Sequence, residues 1–206
     1  RKERESKAQM AQMLGMTPLP QPDSALLEQM NALYHTPWGK TKYELRHVSR
    51  RILPDGELFL FDLVDTSGDG ESTTENQAIA IRSDTLRLPP FQLYPKLDTK
   101  KYALGGLANK IVEWGVSKVG TPVQFPEFPA FQARYTVSST DPEAVRRFFD
   151  EDKARYFSST ENYALNAGGN LFTFTEIDLS SKKDDLEQMS RRINRALEIY
   201  RLFQQS

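Results

Sequence analysis

The chain has 206 residues, 38 % of them hydrophobic and 11 % aromatic, with 27 basic against 28 acidic side chains and a net charge of −1. That apolar supply fills a core and excludes global disorder, while the even charge balance disfavours nucleic acid as a partner, since gripping a phosphate backbone takes a basic excess. With no cysteine in the sequence, disulfides, thiolate metal sites and cysteine nucleophiles are excluded, and no run of residues is long and apolar enough to span a bilayer.

The chain opens on Arg1, Lys2, Glu3, Arg4, Glu5 and Lys7. Dense Lys and Arg of this kind flank the cytoplasmic end of transmembrane helices. The expectation is a membrane anchor preceding Arg1, with the domain on the cytoplasmic side; a trimmed polar tail is the alternative. Residues 5–16 read as a helix with Met10, Met13 and Leu14 on one side. Thr17-Pro18-Leu19-Pro20-Gln21-Pro22 then reads as a polyproline II spacer. Asp23 is placed to cap a second helix, whose stripe is Leu26, Leu27, Met30, Leu33 and Tyr34.

Strand signals follow over residues 43–52. Pro54-Asp55-Gly56 marks a turn, and Glu57–Asp65 is apolar on both faces, with Phe59, Phe61 and Leu63 one way and Leu58, Leu60 and Val64 the other. A strand of that kind belongs in the middle of a sheet covered on both sides. Asn76–Arg82 completes a meander, and Phe91–Tyr94 is a short extended piece. Residues 103–118 read as a helix carrying Leu104, Leu107, Ile111 and Trp114. Pro122, Pro126 and Pro129 alternate with Phe125, Phe128 and Phe131, the pattern of a sheet-edge segment that plugs aromatics into the core. Ala133–Ser138 reads as a strand. A helix capped by Thr140 runs to about Phe157, a hairpin turns at Gly168-Gly169, and a helix over about 182–204 closes the chain.

These elements predict one α+β fold: a largely antiparallel sheet packed against helices, with a long C-terminal helix. Residues 1–22 form a juxtamembrane helix and proline-rich linker in this reading, and residues 23–206 a single domain.

No catalytic residues assemble in the sequence, and no cofactor is implied. His35 and His47 belong to no HExxH or H-x-H grouping and read as surface or satisfied histidines. Asp65-Thr66-Ser67-Gly68-Asp69-Gly70 matches the first half of a calcium loop, which makes Asp65, Ser67 and Asp69 the candidate metal ligands. The twelfth position is Asn76 rather than a bidentate Glu, so a solvated loop is favoured. Asp150, Glu151 and Asp152 read as a wet helix face, and Asp184, Asp185 and Glu187 as complements to a helix dipole. Strict alternation along a strand puts Arg46 and Arg50 on one face and Arg51 on the other. Trp114, Phe125 and Phe128 are the candidate lining of an aromatic pocket.

Several stretches between Leu58 and Phe203 carry a resemblance: Phe59-Leu60-Phe61-Asp62, Pro90-Phe91-Gln92-Leu93-Tyr94-Pro95, Phe125, Phe131-Gln132-Ala133-Arg134-Tyr135, Asp141, and Val145-Arg146-Arg147-Phe148-Phe149. The chain resembles uncharacterised bacterial membrane-associated proteins in which transmembrane helices precede a soluble α+β domain. The resemblance implies an architecture and an address but no reaction. The functional expectation is a non-catalytic interaction or scaffold domain, whose partner is a membrane surface or another protein. A small-molecule-binding domain and a hydrolase with a site drawn from distant acids are the alternatives.

Overall fold

The computed structural model describes residues 2–21, 23–34, 42–66, 73–96, 120–177 and 185–205. In chain order the elements are α1 (Lys2–Met13), β1 (Thr17–Pro18), α2 (Ser24–Tyr34), β2 (Lys42–Leu53), β3 (Gly56–Thr66), β4 (Thr73–Ser83), β5 (Leu88–Pro95) and β6 (Thr121–Val123). They continue with α3 (Pro129–Arg134), β7 (Tyr135–Ser139), α4 (Pro142–Phe148), α5 (Glu151–Ser158), β8 (Tyr163–Gly169), β9 (Leu171–Glu176) and α6 (Leu186–Gln204). The strands form one nine-stranded sheet in the order β1-β2-β3-β4-β9-β8-β5-β7-β6, and each pairing is antiparallel. The fold is α+β, as the sequence pattern predicts. Among the described residues, no helix is long and apolar enough to cross a membrane.

β3 is an interior strand, third in the sheet order, and each of its apolar faces feeds a separate core. Phe59, Phe61 and Leu63 join Ala78 and Ala80 of β4 beneath Leu26 and Met30 of α2. Leu58 and Leu60 join Ile79 and Ile81 on the opposite face, in the larger cluster that α6 and the aromatic residues complete. Phe149 stands in that cluster with ring centroids 5.2 Å from Phe91, 5.5 Å from Phe125 and 5.2 Å from Phe131. α6 presents Met189, Ile193, Ala196, Tyr200 and Phe203 to the sheet, a three-to-four-residue recurrence on one helix face. Asp185 caps it by accepting the Gln188 N–H at 2.8 Å, and the Tyr200 hydroxyl donates to Ser83 Oγ at 2.8 Å, fastening the helix to the end of β4.

Four local expectations are corrected. Thr17 and Pro18 pair with Arg50 and Ser49 as an edge strand; proline is tolerated there because an edge strand does not need its N–H. Ala11 and Met16 are buried in the larger core, so this stretch lies on the sheet instead of serving as a free spacer. The expected helix from Thr140 to Phe157 is two helices, broken at Phe149 and Asp150. Asp141, not Thr140, caps the first, taking the Ala144 N–H at 3.0 Å. Asp150 is the cap of the second, taking the Lys153 N–H at 3.0 Å; it is exposed as expected but stands ahead of the helix and not within it. Finally, the proline-punctuated segment does start as an edge strand at Thr121–Val123 and does send Phe125 and Phe131 into the core, but Pro129–Arg134 is a short helix. The helix expected over 103–118 lies outside the described residues.

Candidate functional site

β2 follows β3 pair by pair from Lys42↔Thr66 to Arg46↔Asp62, then resumes at Ser49↔Leu60. His47 and Val48 therefore share the space opposite Phe61, which is a β-bulge. His47 takes φ +52, in the left-handed region that few residues other than glycine enter, histidine being among the enriched exceptions. The bulge swings its imidazole onto the face occupied by Asp62, where Nδ1 and Oδ2 are 2.6 Å apart.

The same extra residue overturns the expected facing of the arginines. Directly opposed residues share a face. Arg46, opposite Asp62, and Arg51, opposite Leu58, are therefore on one face, while Arg50, opposite Phe59, is on the other. Arg50 there donates to Glu57 at 3.2 Å. Glu57 also takes Arg82 at 2.6 Å, and Arg82 reaches Asp23 ahead of α2 at 3.4 Å.

On the His47 face, Asp62 is the centre of a polar cluster built by four elements. Its side chain is 4 % exposed, and a buried carboxylate persists only with partners. Lys7 of α1 supplies one, its ammonium 2.6 Å from Asp62 Oδ2 and 3.5 Å from Glu75 Oε1 on β4. Arg46 grips Glu44 with two bonds of 2.9 Å, and that guanidinium holds the Glu44 carboxyl below its ordinary pKa. Arg46 Nη1 also stands 3.9 Å from Glu75. Behind Asp62, Gln77 accepts a hydrogen bond of 3.0 Å from Arg192 of α6. One imidazole nitrogen and two carboxylates, from His47, Asp62 and Glu75, bring their donor atoms within 4.8 Å of one another. Beside the cluster, at the sheet edge, a cavity of 220 Å³ is lined by Leu19, Pro20, Gln21, Leu45, Arg46, His47 and Val48.

A solved structure shares the fold. It is the crystal structure of the mycobacterial trehalose monomycolate transport factor A, TtfA, with a TM-score of 0.51 and 14 % identity, over 94 % of this chain and 93 % of that one. At that identity the likeness shows the fold. No protein-family model matches the chain, and no curated protein matches it.

Of the residues singled out in the sequence, Asp65 has its backbone paired with Thr74 at the end of β3, while Ser67, Asp69, Trp114 and His35 lie outside the described residues. Phe125 is 1 % exposed and meets Phe131 edge-on at 5.3 Å, and Phe128 is partly buried against the same core. Both are placed as packing residues. His47, expected as a surface or satisfied histidine, is bonded to Asp62, a residue that no motif in the sequence marks. The available signal was Asp62 itself, a carboxylate interrupting the apolar run Leu58-Phe59-Leu60-Phe61-Asp62-Leu63-Val64 on a strand expected to be covered on both faces.

A second polar cluster closes α6 onto β9. Glu176 accepts from Arg195, whose guanidinium lies 5.5 Å from the Tyr163 ring centroid. Burial pushes the Tyr163 phenol up to about 12 and raises Tyr156, which donates to Glu198 at 3.2 Å. Phenols held protonated in this way serve as hydrogen-bond donors rather than bases, so the cluster acts as a fastening.

Proposed function

We propose that the chain is a non-catalytic interaction domain of a membrane-associated transport system. The observation that carries this reading is the shared fold: a structure described as a transport factor for trehalose monomycolate superposes over nearly the whole of both chains. The basic side chains Arg1, Lys2 and Arg4 support a position at a membrane surface, where such side chains meet anionic headgroups. The resemblance to bacterial proteins with a soluble domain behind transmembrane helices points the same way, with the cytoplasmic side favoured by the positive-inside pattern. The edge cavity of 220 Å³ is by itself below the usual range for small-molecule pockets of about 300–1,000 Å³.

Fractionation of cells that express the complete gene product tests the reading. The expected result is recovery of the protein with membranes, together with co-purification of transport components after mild detergent extraction. Recovery of the complete product entirely in the soluble pool overturns it.

A further inference from the structure

We propose that His47, Asp62 and Glu75 form a binding site for a divalent transition-metal cation, whose place is held in this structure by the ammonium of Lys7. The three donors come from β2, β3 and β4, adjacent strands of one sheet: the β3–β4 ladder sets the spacing of Asp62 and Glu75, and the bulge in β2 brings in His47. Their atoms lie within 4.8 Å of one another. One imidazole nitrogen and two carboxylate oxygens suit zinc, manganese, iron(II) or cobalt, whereas calcium and magnesium take oxygen alone. Three protein ligands also leave one position of a tetrahedral site open.

Two further observations go beyond a chance grouping of charges. The first is the backbone at His47: a left-handed residue on a bulged strand, φ +52, is a strained conformation of the kind that clusters at ligand sites, and it is what aims Nδ1 at Asp62. The second is Lys7. Its ammonium lies 2.6 Å from Asp62 and 3.5 Å from Glu75, which shows that a cation is accommodated between these carboxylates. Lysine is a compact point charge on a flexible stem, and the Lys7 side chain is 18 % exposed, so it has a route to solvent when a metal enters. The metal and the N-terminal helix therefore compete for Asp62. Coordination by His47 would use the lone pair of Nδ1. The proposal does not depend on a transport role, and a failure of either leaves the other standing.

Zinc and, as a spectroscopic probe, cobalt(II) are titrated into the chain and into His47→Ala, Glu75→Gln, Lys7→Met and, as control, His35→Ala. Calorimetry reads the zinc affinity and visible absorption the cobalt ligand field. The expected result is saturable binding to wild type and His35→Ala. Affinity falls about tenfold or more in His47→Ala and Glu75→Gln. It rises about tenfold in Lys7→Met, because the competing ammonium is gone while the carboxylates remain. Absence of saturable binding up to about 1 mM metal in both wild type and Lys7→Met overturns the proposal. So does undiminished affinity in His47→Ala, or no gain in Lys7→Met. If His47→Ala does not fold, as judged by near-ultraviolet dichroism, Glu75→Gln decides, since that side chain is 40 % exposed and its replacement is compatible with folding.

Discussion

Replacing His47 by glycine and, separately, by alanine separates two energies that meet at the bulge. The first is conformational. A side chain at φ +52 costs about 1–2 kcal/mol, and glycine removes that cost. The second is the contact of 2.6 Å with buried Asp62; removing one partner of such a bond costs about 1–3 kcal/mol. The lower part of that range applies, because Lys7 stays 2.6 Å from the same oxygen. Alanine loses the contact and keeps the strained backbone, so His47→Ala is expected to lose about 1–2 kcal/mol. Glycine loses the contact and gains the relief, so His47→Gly is expected within about 1 kcal/mol of wild type. Glycine is thus the more stable of the two by about 1 kcal/mol, the reverse of the usual strand order, in which it trails alanine by about 0.5–1 kcal/mol. Urea unfolding at neutral pH measures the difference, which corresponds to about 2–4 °C in Tm for a chain of this size. An alanine variant as stable as the glycine variant, or more so, refutes the strained-bulge reasoning.

Phe149→Ala removes a ring 2 % exposed from the middle of the aromatic cluster and is expected to cost about 3–5 kcal/mol in denaturant unfolding. Gly120→Ala is expected to cost about 2 kcal/mol or more by the same measurement, because Gly120 has φ +83 and an added Cβ would lie 2.1 Å from the Ser139 carbonyl oxygen. Asp150 is subject to burial, which raises its pKa, and to hydrogen bonds from Lys153, which prevail and hold it below its ordinary value of 3.8. Its pairing therefore contributes above that ordinary value and is lost as pH falls through the lower, folded one. Asp150→Asn is expected to cost about 1 kcal/mol at neutral pH, and a gap from wild type that fails to narrow on acidification to about pH 2 counts against the assignment.

The two-faced character of β3 is legible residue by residue in Phe59, Phe61 and Leu63 against Leu58 and Leu60, because burial on each side of a pleat is written at alternate positions. The stripe of α6 is legible for the same reason at helical spacing. The bulge is not. Alternation assumes one residue per pleat, so a single inserted position reverses every later facing, and Arg50 and Arg51 are misassigned together. The break between α4 and α5 carries no proline or glycine, and Asp150 marks it only through a cap that the wet-face reading absorbs. The His47 cluster is hidden for a different reason. Its members are 15 positions apart for His47 and Asp62 and 55 apart for Lys7 and Asp62, and only the folded sheet, with its bulge and with α1 packed on it, brings them together.

α1 and β1 meet the sheet at its β2 edge. Two residue pairs join β1 to β2, one ammonium reaches Asp62, and Ala11 and Met16 are the fully buried apolar side chains that this stretch adds to the larger core. In mechanical terms this edge is the first to take any load applied near Lys2. Tension there would detach the first eighteen residues before it disturbed the layer beneath Phe149 or the one under α2. Such a peeling unit would work as a fuse, giving slack while the body of the protein stayed folded.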